Sequence, residues 1–256
     1  MRIKSVEIGK DFPCRIVAEL GTLHHHSYDS LMRATEQAVE CGVDMVKIQI
    51  PYFYNVKTCW WANETALKRY KNFGIDIKGY CRYFKMANDL GETPVFASVF
   101  ESDDWDGEIV SYLPAVKLGY KANFMPRLRK MAYSAKKPLI MSCADAVQRG
   151  LVLDEIADME KKEKRKIEIK FLFVQPLYPT PVALFSWPPR GEAWDGVSCH
   201  LPSRLVIDAL REKSRFMQLV ELHVMGDDAR GPDAEFALTM RQLKEAVDIA
   251  HDYITT

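Results

Sequence analysis

Two histidines near the C-terminus each close a short apolar run. Trp194-Asp195-Gly196-Val197-Ser198-Cys199 leads into His200, and Gln218-Leu219-Val220-Glu221-Leu222 leads into His223. A buried strand ending in an imidazole sets a metal ligand or an acid–base group at the strand's mouth. Either histidine alone reads best as a satisfied, half-buried side chain. Two of them, pointing inward from successive strands, read as one site. Neutral imidazoles with open positions suit a divalent ion such as manganese, zinc, iron or cobalt. Upstream, Lys47 in Val-Lys-Ile-Gln and Lys117 in Ala-Val-Lys-Leu-Gly lie inside apolar runs. A lysine there is costly unless its charge is used. With Ser98, Ser142 and Ser198 on the strands between and beyond, the lysines point to a dianion such as a phosphate or phosphate-carboxylate. A structural ion pair is the rival reading. Glu19, near the end of the first apolar run, can hold a metal-bound water or act as a base. In His24-His25-His26, consecutive side chains cannot all converge, so only His24 stays as a neighbour of the site.

The elements that must position these groups alternate along the chain. Strand candidates are Arg15–Leu20, Met45–Ile50, Pro94–Phe100, Ala115–Gly119, Pro138–Cys143, Ile167–Val174, Gly196–His200 and Phe216–Val224. Helical patterns lie between most of them. In Ser27–Cys41, Leu31, Ala34, Ala38 and Val39 share one face, and Gly42 is a stop. Pro126–Lys137 and Pro202–Lys213 begin with proline at a first-turn position. The last helix carries Phe236, Met240, Leu243, Val247 and Ala250 at helical spacing. Eight strands alternating with helices over 256 residues predict an α/β fold, a single-domain (β/α)8 TIM barrel spanning 1–256. A doubly wound sheet is the alternative, but Gly21-Thr22-Leu23-His24 is not the Gly-rich phosphate loop it would carry. The reactive face is then the one where the strands end.

Composition bounds the partners. The formal net charge is zero, which gives no support for nucleic acid or an acidic membrane surface. No apolar run approaches a membrane span, and the N-terminal stretch carries charges where a secretory signal needs apolar residues. The six cysteines form no C-x-x-C pair and read as buried reduced thiols of a cytoplasmic protein. Glu160–Lys166 reads as the solvated end of a long helix. The aromatic stretch Pro51–Thr65, with Trp60-Trp61, reads as a loop over the barrel mouth, a lid or an oligomer contact.

Taken in order, these segments resemble the sialic acid (N-acetylneuraminate) synthase family over nearly the whole chain. Ile16-Val17-Ala18-Glu19-Leu20-Gly21 followed by His24 is similar to the family's A-E-I-G-x-N-H opening. Val46-Lys47-Ile48-Gln49, Ala115-Val116-Lys117-Leu118-Gly119 and Pro138-Leu139-Ile140-Met141-Ser142 are similar to its V-K-x-Q, A-x-K-I-x-S and P-I-I-L-S. Tyr178-Pro179-Thr180-Pro181 matches its Y-P-T-P. Ser198-Cys199-His200, Glu221-Leu222-His223 and Gly231-Pro232-Asp233 are similar to its S-D-H, E-x-H and G-P-D. Each motif is weak alone; together, in this order, they are specific.

The resemblance implies a C–C bond-forming transferase that condenses phosphoenolpyruvate with an N-acylated hexosamine or related aldose. The products would be a sialic-acid-like 2-keto-3-deoxy acid and phosphate. His200 and His223 would bind the metal, manganese first, with magnesium, cobalt or zinc as alternatives. Lys47, Ser98, Lys117, Ser142 and Ser198 would hold phosphoenolpyruvate. Glu19 would contact a metal-bound water, and Tyr178 and Asp233 would face the acceptor. A homodimer is expected from the family alone. Three positions depart: Tyr120 stands for a serine, Ala122 for a sugar-contacting glutamate and Leu23 for an asparagine. The family's C-terminal antifreeze-like domain has no counterpart in this sequence. Two other expectations stand beside the synthase. One is a catalytically weakened homologue that binds a phosphorylated or pyruvate-like ligand or a partner enzyme. The other is a different barrel aldolase or lyase, with a Schiff base on Lys117 in principle.

Overall fold

The computed structural model describes residues 1–24, 27–50, 75–100, 105–188, 193–229 and 232–252. The Trp60-Trp61 loop, His25, His26, Cys59 and Gly231 lie outside them. A hairpin of β1 (Arg2–Ile3) and β2 (Val6–Glu7) opens the chain. The eight barrel strands follow: β3 (Arg15–Gly21), β4 (Met45–Gln49), β5 (Val95–Val99), β6 (Val116–Leu118), β7 (Leu139–Cys143), β8 (Ile169–Val174), β9 (Gly196–Cys199) and β10 (Leu219–Met225). Each pairs in parallel with the next, and β10 pairs with both β9 and β3, which closes the barrel. A short β11 (Leu238–Thr239) adds to the end of β10. The expected (β/α)8 architecture is the one observed.

Strand alternation explains how the interior is built. Side chains two apart face the same side. The lower interior layer packs Val17, Met45, Phe96, Ala115, Ile140, Leu172 and Leu219 together, and Ile3 and Ile8 from the hairpin region plug it from below. Two residues further on, the same strands carry Glu19, Lys47, Ser98, Lys117, Ser142 and Glu221, all buried. Thus six of the eight strands supply an apolar anchor and then a polar group one layer higher, while β8 continues with Val174 and β9 sets Ser198 above Gly196. The alternate positions, such as Ile16, Ala18, Val46 and Ile48, pack in the outer cluster shared with the helices.

The helices are α1 (Tyr28–Glu40), α2 (Ile77–Leu90), α3 (Gly107–Tyr112), α4 (Pro126–Ser134), α5 (Ala146–Glu163), α6 (Ser203–Lys213) and α7 (Met240–His251). Ser27 caps α1 by accepting from the Ser30 amide at 3.0 Å, and Gly42 just past its end has φ +82°, as the helix stop requires. Four expectations need correction. Val39 is exposed, so the buried face of α1 is Leu31, Ala34 and Ala38. Pro202 caps α6 from outside, so that helix begins at Ser203. Phe216 belongs to a 3-10 turn before β10. The last helix starts at Met240, because the Thr239–Gln242 capping box sets its first turn there and leaves Phe236 outside it. In Glu160–Lys166 the helix ends at Glu163 with Lys164 at φ 51°, and the run is largely solvated as expected. The five described cysteines are free and buried. No described helix is long and apolar enough to cross a membrane.

Candidate active site

The upper interior layer brings the two lysines onto two carboxylates. Lys117 Nζ donates to both oxygens of Glu221, at 3.0 and 2.9 Å. Lys47 Nζ lies 3.2 Å from Glu221 Oε1, donates to Ser98 Oγ at 2.9 Å and pairs closely with Glu19 Oε2. Ser198 Oγ donates to Glu221 Oε1 at 2.7 Å, and the Gly21 amide donates to Glu19 Oε1 at 2.6 Å. Ser142 Oγ is buried on the adjoining β7 without a hydrogen-bond partner. The lysine charges are therefore matched by the two carboxylates.

Glu221 is the residue that sequence reasoning missed. It lies on the same strand face as His223, two residues away, and supplies the counter-charge to two buried lysines distant from it in sequence. Asn123 was also missed. Its side-chain amide donates to the Ser142 carbonyl, a tie that nothing in the sequence pattern announces.

The electrostatics divide the two carboxylates. Burial alone would raise Glu221, but Lys117, Lys47 and the hydrogen bonds from Lys117 and Ser198 more than offset it, so it is held well below the usual range. Glu19 keeps only part of that help: burial pushes it up to about 7 against the pull of Lys47. Burial brings Lys117 down to about 8 despite Glu221. Lys47, with two carboxylates beside it, stays raised against the burial penalty.

The histidine pair sits beside this network. Glu19 and His223 are register partners across β3 and β10. The rings of His200 and His223 lie 5.1 Å apart. Burial brings His200 down to about 3 and lowers His223 well below 6.5, so both are neutral near pH 7. Both Nδ1 atoms are buried without a hydrogen bond. Asp233 Oδ2 lies 3.6 Å from His223 Nδ1. Gly21, at φ +57°, makes room there: a Cβ would meet Asp233 Oδ2 at 3.1 Å. Tyr178, although 54% exposed, places its ring 4.2 Å from that of His200. The Thr180 amide donates to the His200 carbonyl at 2.8 Å and ties that loop down. Phe236 closes the other side, 4.9 Å from His223 and 5.9 Å from His200. His24 stands apart, its Nε2 accepting from the Gly226 amide at 3.2 Å. Among the described residues no group of three or more His, Cys, Asp or Glu side chains is arranged to hold a metal. The described protein donors are thus two imidazoles, whose orphaned nitrogens fit a divalent ion with positions open for water and substrate.

At the departing positions, Leu23 and Ala122 are buried, and Tyr120 packs edge-on against Phe124 at 5.3 Å.

This burial gives a pH signature for the metal-free protein. Between pH 4.5 and 6.5 His200 is protonated when unfolded and neutral when folded, and burial shifts His223 in the same direction, so acid destabilises through both. Over the same window Glu19 is protonated when folded and ionised when unfolded, so acid stabilises. Two histidines against one carboxylate leave a net loss of stability on acidification. Denaturant midpoints across this window check it. The double variant His200→Asn, His223→Asn is expected to reverse the sign, and an unchanged slope contradicts the burial account.

The fold and this arrangement define a parallel (β/α)8 barrel with charged and imidazole side chains gathered where the strands end. Among solved structures it is similar to the N-acetylneuraminic acid synthetase of Leptospira borgpetersenii serovar Hardjo-bovis in complex with citrate. The TM-score is 0.80 at 16% identity, covering 100% of this chain and 90% of that one. The spore coat polysaccharide biosynthesis protein SpsE of Bacillus subtilis aligns with TM-score 0.74 at 20% identity, over 98% of this chain and 71% of that one. The DAHP synthase of Thermotoga maritima aligns with TM-score 0.69 at 17% identity, over 97% and 71%. At these identities the likeness establishes the shared barrel. No protein-family model matches the chain, and no curated protein does.

Proposed function

We propose that this barrel condenses phosphoenolpyruvate with an N-acylated hexosamine or related aldose, giving a nonulosonic or related 2-keto-3-deoxy acid and phosphate. The observation that carries the reading is the convergence of two buried lysines and a neutral histidine pair, both Nδ1 atoms without a hydrogen bond among the described residues, at one end of the barrel. The names of the fold neighbours, taken from sialic acid, spore-coat polysaccharide and DAHP synthesis, support it. In this reading the protein is a cytoplasmic enzyme of carbohydrate biosynthesis and a homodimer.

Lys47 and Lys117 supply charge, and Ser98, Ser142 and Ser198 supply donors, for the phosphate and carboxylate of phosphoenolpyruvate. A dianion entering here must take lysine contacts from a carboxylate. Glu19 is the one to yield, because its anion is the less stabilised of the two. It can carry a proton or orient a water at the reacting carbon. Tyr178 and Asp233 flank the histidines on the side open to an acceptor. His200 and His223 would hold a divalent metal, manganese first, which when bound supplies Lewis-acid polarisation of the acceptor aldehyde. The phosphoenolpyruvate methylene carbon forms the new C–C bond to the aldehyde carbon. Water adds at the former enol carbon, and its C–O bond to phosphate breaks.

Incubation with phosphoenolpyruvate, manganese and a panel of aldoses should release phosphate only when a suitable aldose is present. Tight phosphoenolpyruvate binding without release from any of them would instead support the binding homologue. Phe236 is expected to position the imidazoles. Phe236→Ala should weaken manganese binding about 10-fold, as loss of supporting neighbours does at metal sites, while Phe236→Leu should retain most of it. Electron paramagnetic resonance of free manganese reads the affinity directly. Equal affinity in all three proteins would remove this role.

A further inference from the structure

The opposite end of the barrel holds a cleft of about 710 Å³, within the range of small-molecule sites. It is walled by the Gly9–Cys14 segment before β3, by Trp194 and Asp195 before β9, and by Ser214–Gln218 before β10. The proposed chemistry lies at the other ends of these same strands, so the two places are separate.

Three features point to a ligand. First, large rings line the cleft: Trp194, with Phe12 at 39% exposure and Phe216 at 56%. Exposed rings grouped about a cleft are a cost that an apolar body in the cleft would remove. Second, Ser214, 1% exposed, lines it, and its Oγ has no hydrogen-bond partner among the described residues. A buried hydroxyl left unpaired is unfavourable and is a donor or acceptor ready for a bound group. Third, the charge is lopsided. Asp195 is already neutralised, accepting from Lys170 Nζ and the Phe171 amide, each at 2.9 Å. That leaves Lys10 and Arg215 against Asp11, with the Arg215 guanidinium lying 4.7 Å from the centre of the Phe216 ring. A flat apolar body can lie against these rings while Arg215 meets an anionic group.

We propose that this cleft is a second binding site, for a flat aromatic molecule carrying one anionic group. It does not depend on the synthase reading.

The test uses the full chain and two fluorescent probes, anilinonaphthalene sulfonate as the aromatic anion and N-phenylnaphthylamine as an uncharged counterpart. The sulfonate is expected to bind one-to-one. Phe216→Glu, at an exposed position, should weaken it by about ten-fold or more, or 1.4 kcal/mol. Arg215→Gln should weaken the sulfonate while leaving the uncharged probe unchanged. Ser214→Ala should weaken binding without lowering the denaturation midpoint, which separates lost recognition from lost folding. The proposal is overturned by sulfonate binding that Phe216→Glu leaves unmoved, or by no binding at all. Equal loss of both probes in Arg215→Gln overturns the anionic part. Failure of phosphate release from phosphoenolpyruvate leaves these outcomes untouched.

Discussion

Glu221→Gln is expected to destabilise the protein by about 3–5 kcal/mol, the cost of removing one partner from a buried ion pair. Glu221 holds Lys117 with both oxygens, stands 3.2 Å from Lys47 and accepts from Ser198. An amide in its place keeps the shape but supplies no negative charge. Glu19 then remains the one described carboxylate paired with Lys47, and Lys117 loses its carboxylate contacts. Lys117 has already been brought down to about 8 by burial, so its response would be to shed its proton. A second substitution should recover much of the loss: Glu221→Gln with Lys117→Met removes the stranded charge as well. Urea unfolding of the two single variants and the double variant gives the coupling directly. A Glu221→Gln protein within about 1 kcal/mol of the parent would mean that the network is solvated and does not hold the barrel together.

Gly196→Ala should have an effect at least as large, by a different route. Gly196 sits opposite Leu219 in the β9–β10 register. A Cβ there would lie 1.7 Å from the Leu219 carbonyl oxygen and 2.7 Å from its carbonyl carbon. The obstacle is backbone of a strand that also pairs with β3, so relief requires reopening two ladders. Leu172 Cδ2, at 3.1 Å, blocks the sideways escape. Overpacking that side chains can relieve costs about 1–3 kcal/mol; displaced backbone belongs to the tail beyond about 4 kcal/mol. The expected result is a protein recovered insoluble, or with a lost cooperative transition in calorimetry. A folded Gly196→Ala barrel with a near-parental midpoint would contradict the close approach of β9 to β10.

Most of what positions the site is legible in the sequence, and the reason is the two-residue period of a strand. Val17 then Glu19, Met45 then Lys47, Phe96 then Ser98, Ala115 then Lys117 and Ile140 then Ser142 each repeat an apolar anchor beneath a polar group. An inward lysine stands out in such a run, as does an imidazole at a strand's close. Glu221 follows the same rule, yet beside His223 it reads as part of a motif rather than as the partner of lysines more than a hundred residues away. Long-range pairing is not a local signal. Phe236 fails for a related reason. It continues the helical spacing of Met240, Leu243 and Val247, but the capping box at Thr239 starts the helix later and frees the ring to pack on the histidines. The exposure of Val39 shows the limit of helical wheels, since which edge of a face is covered depends on the neighbouring helix.

The central claim is that phosphate leaves by C–O cleavage as phosphoenolpyruvate joins an aldehyde. Phosphoenolpyruvate labelled with oxygen-18 in the bridge between carbon and phosphorus tests it most directly, in the presence of manganese and a productive aldose. The account predicts that the label appears in the released phosphate, together with a new 2-keto-3-deoxy acid in equal amount. Unlabelled phosphate, or phosphate released with pyruvate and no new C–C bond, would contradict it.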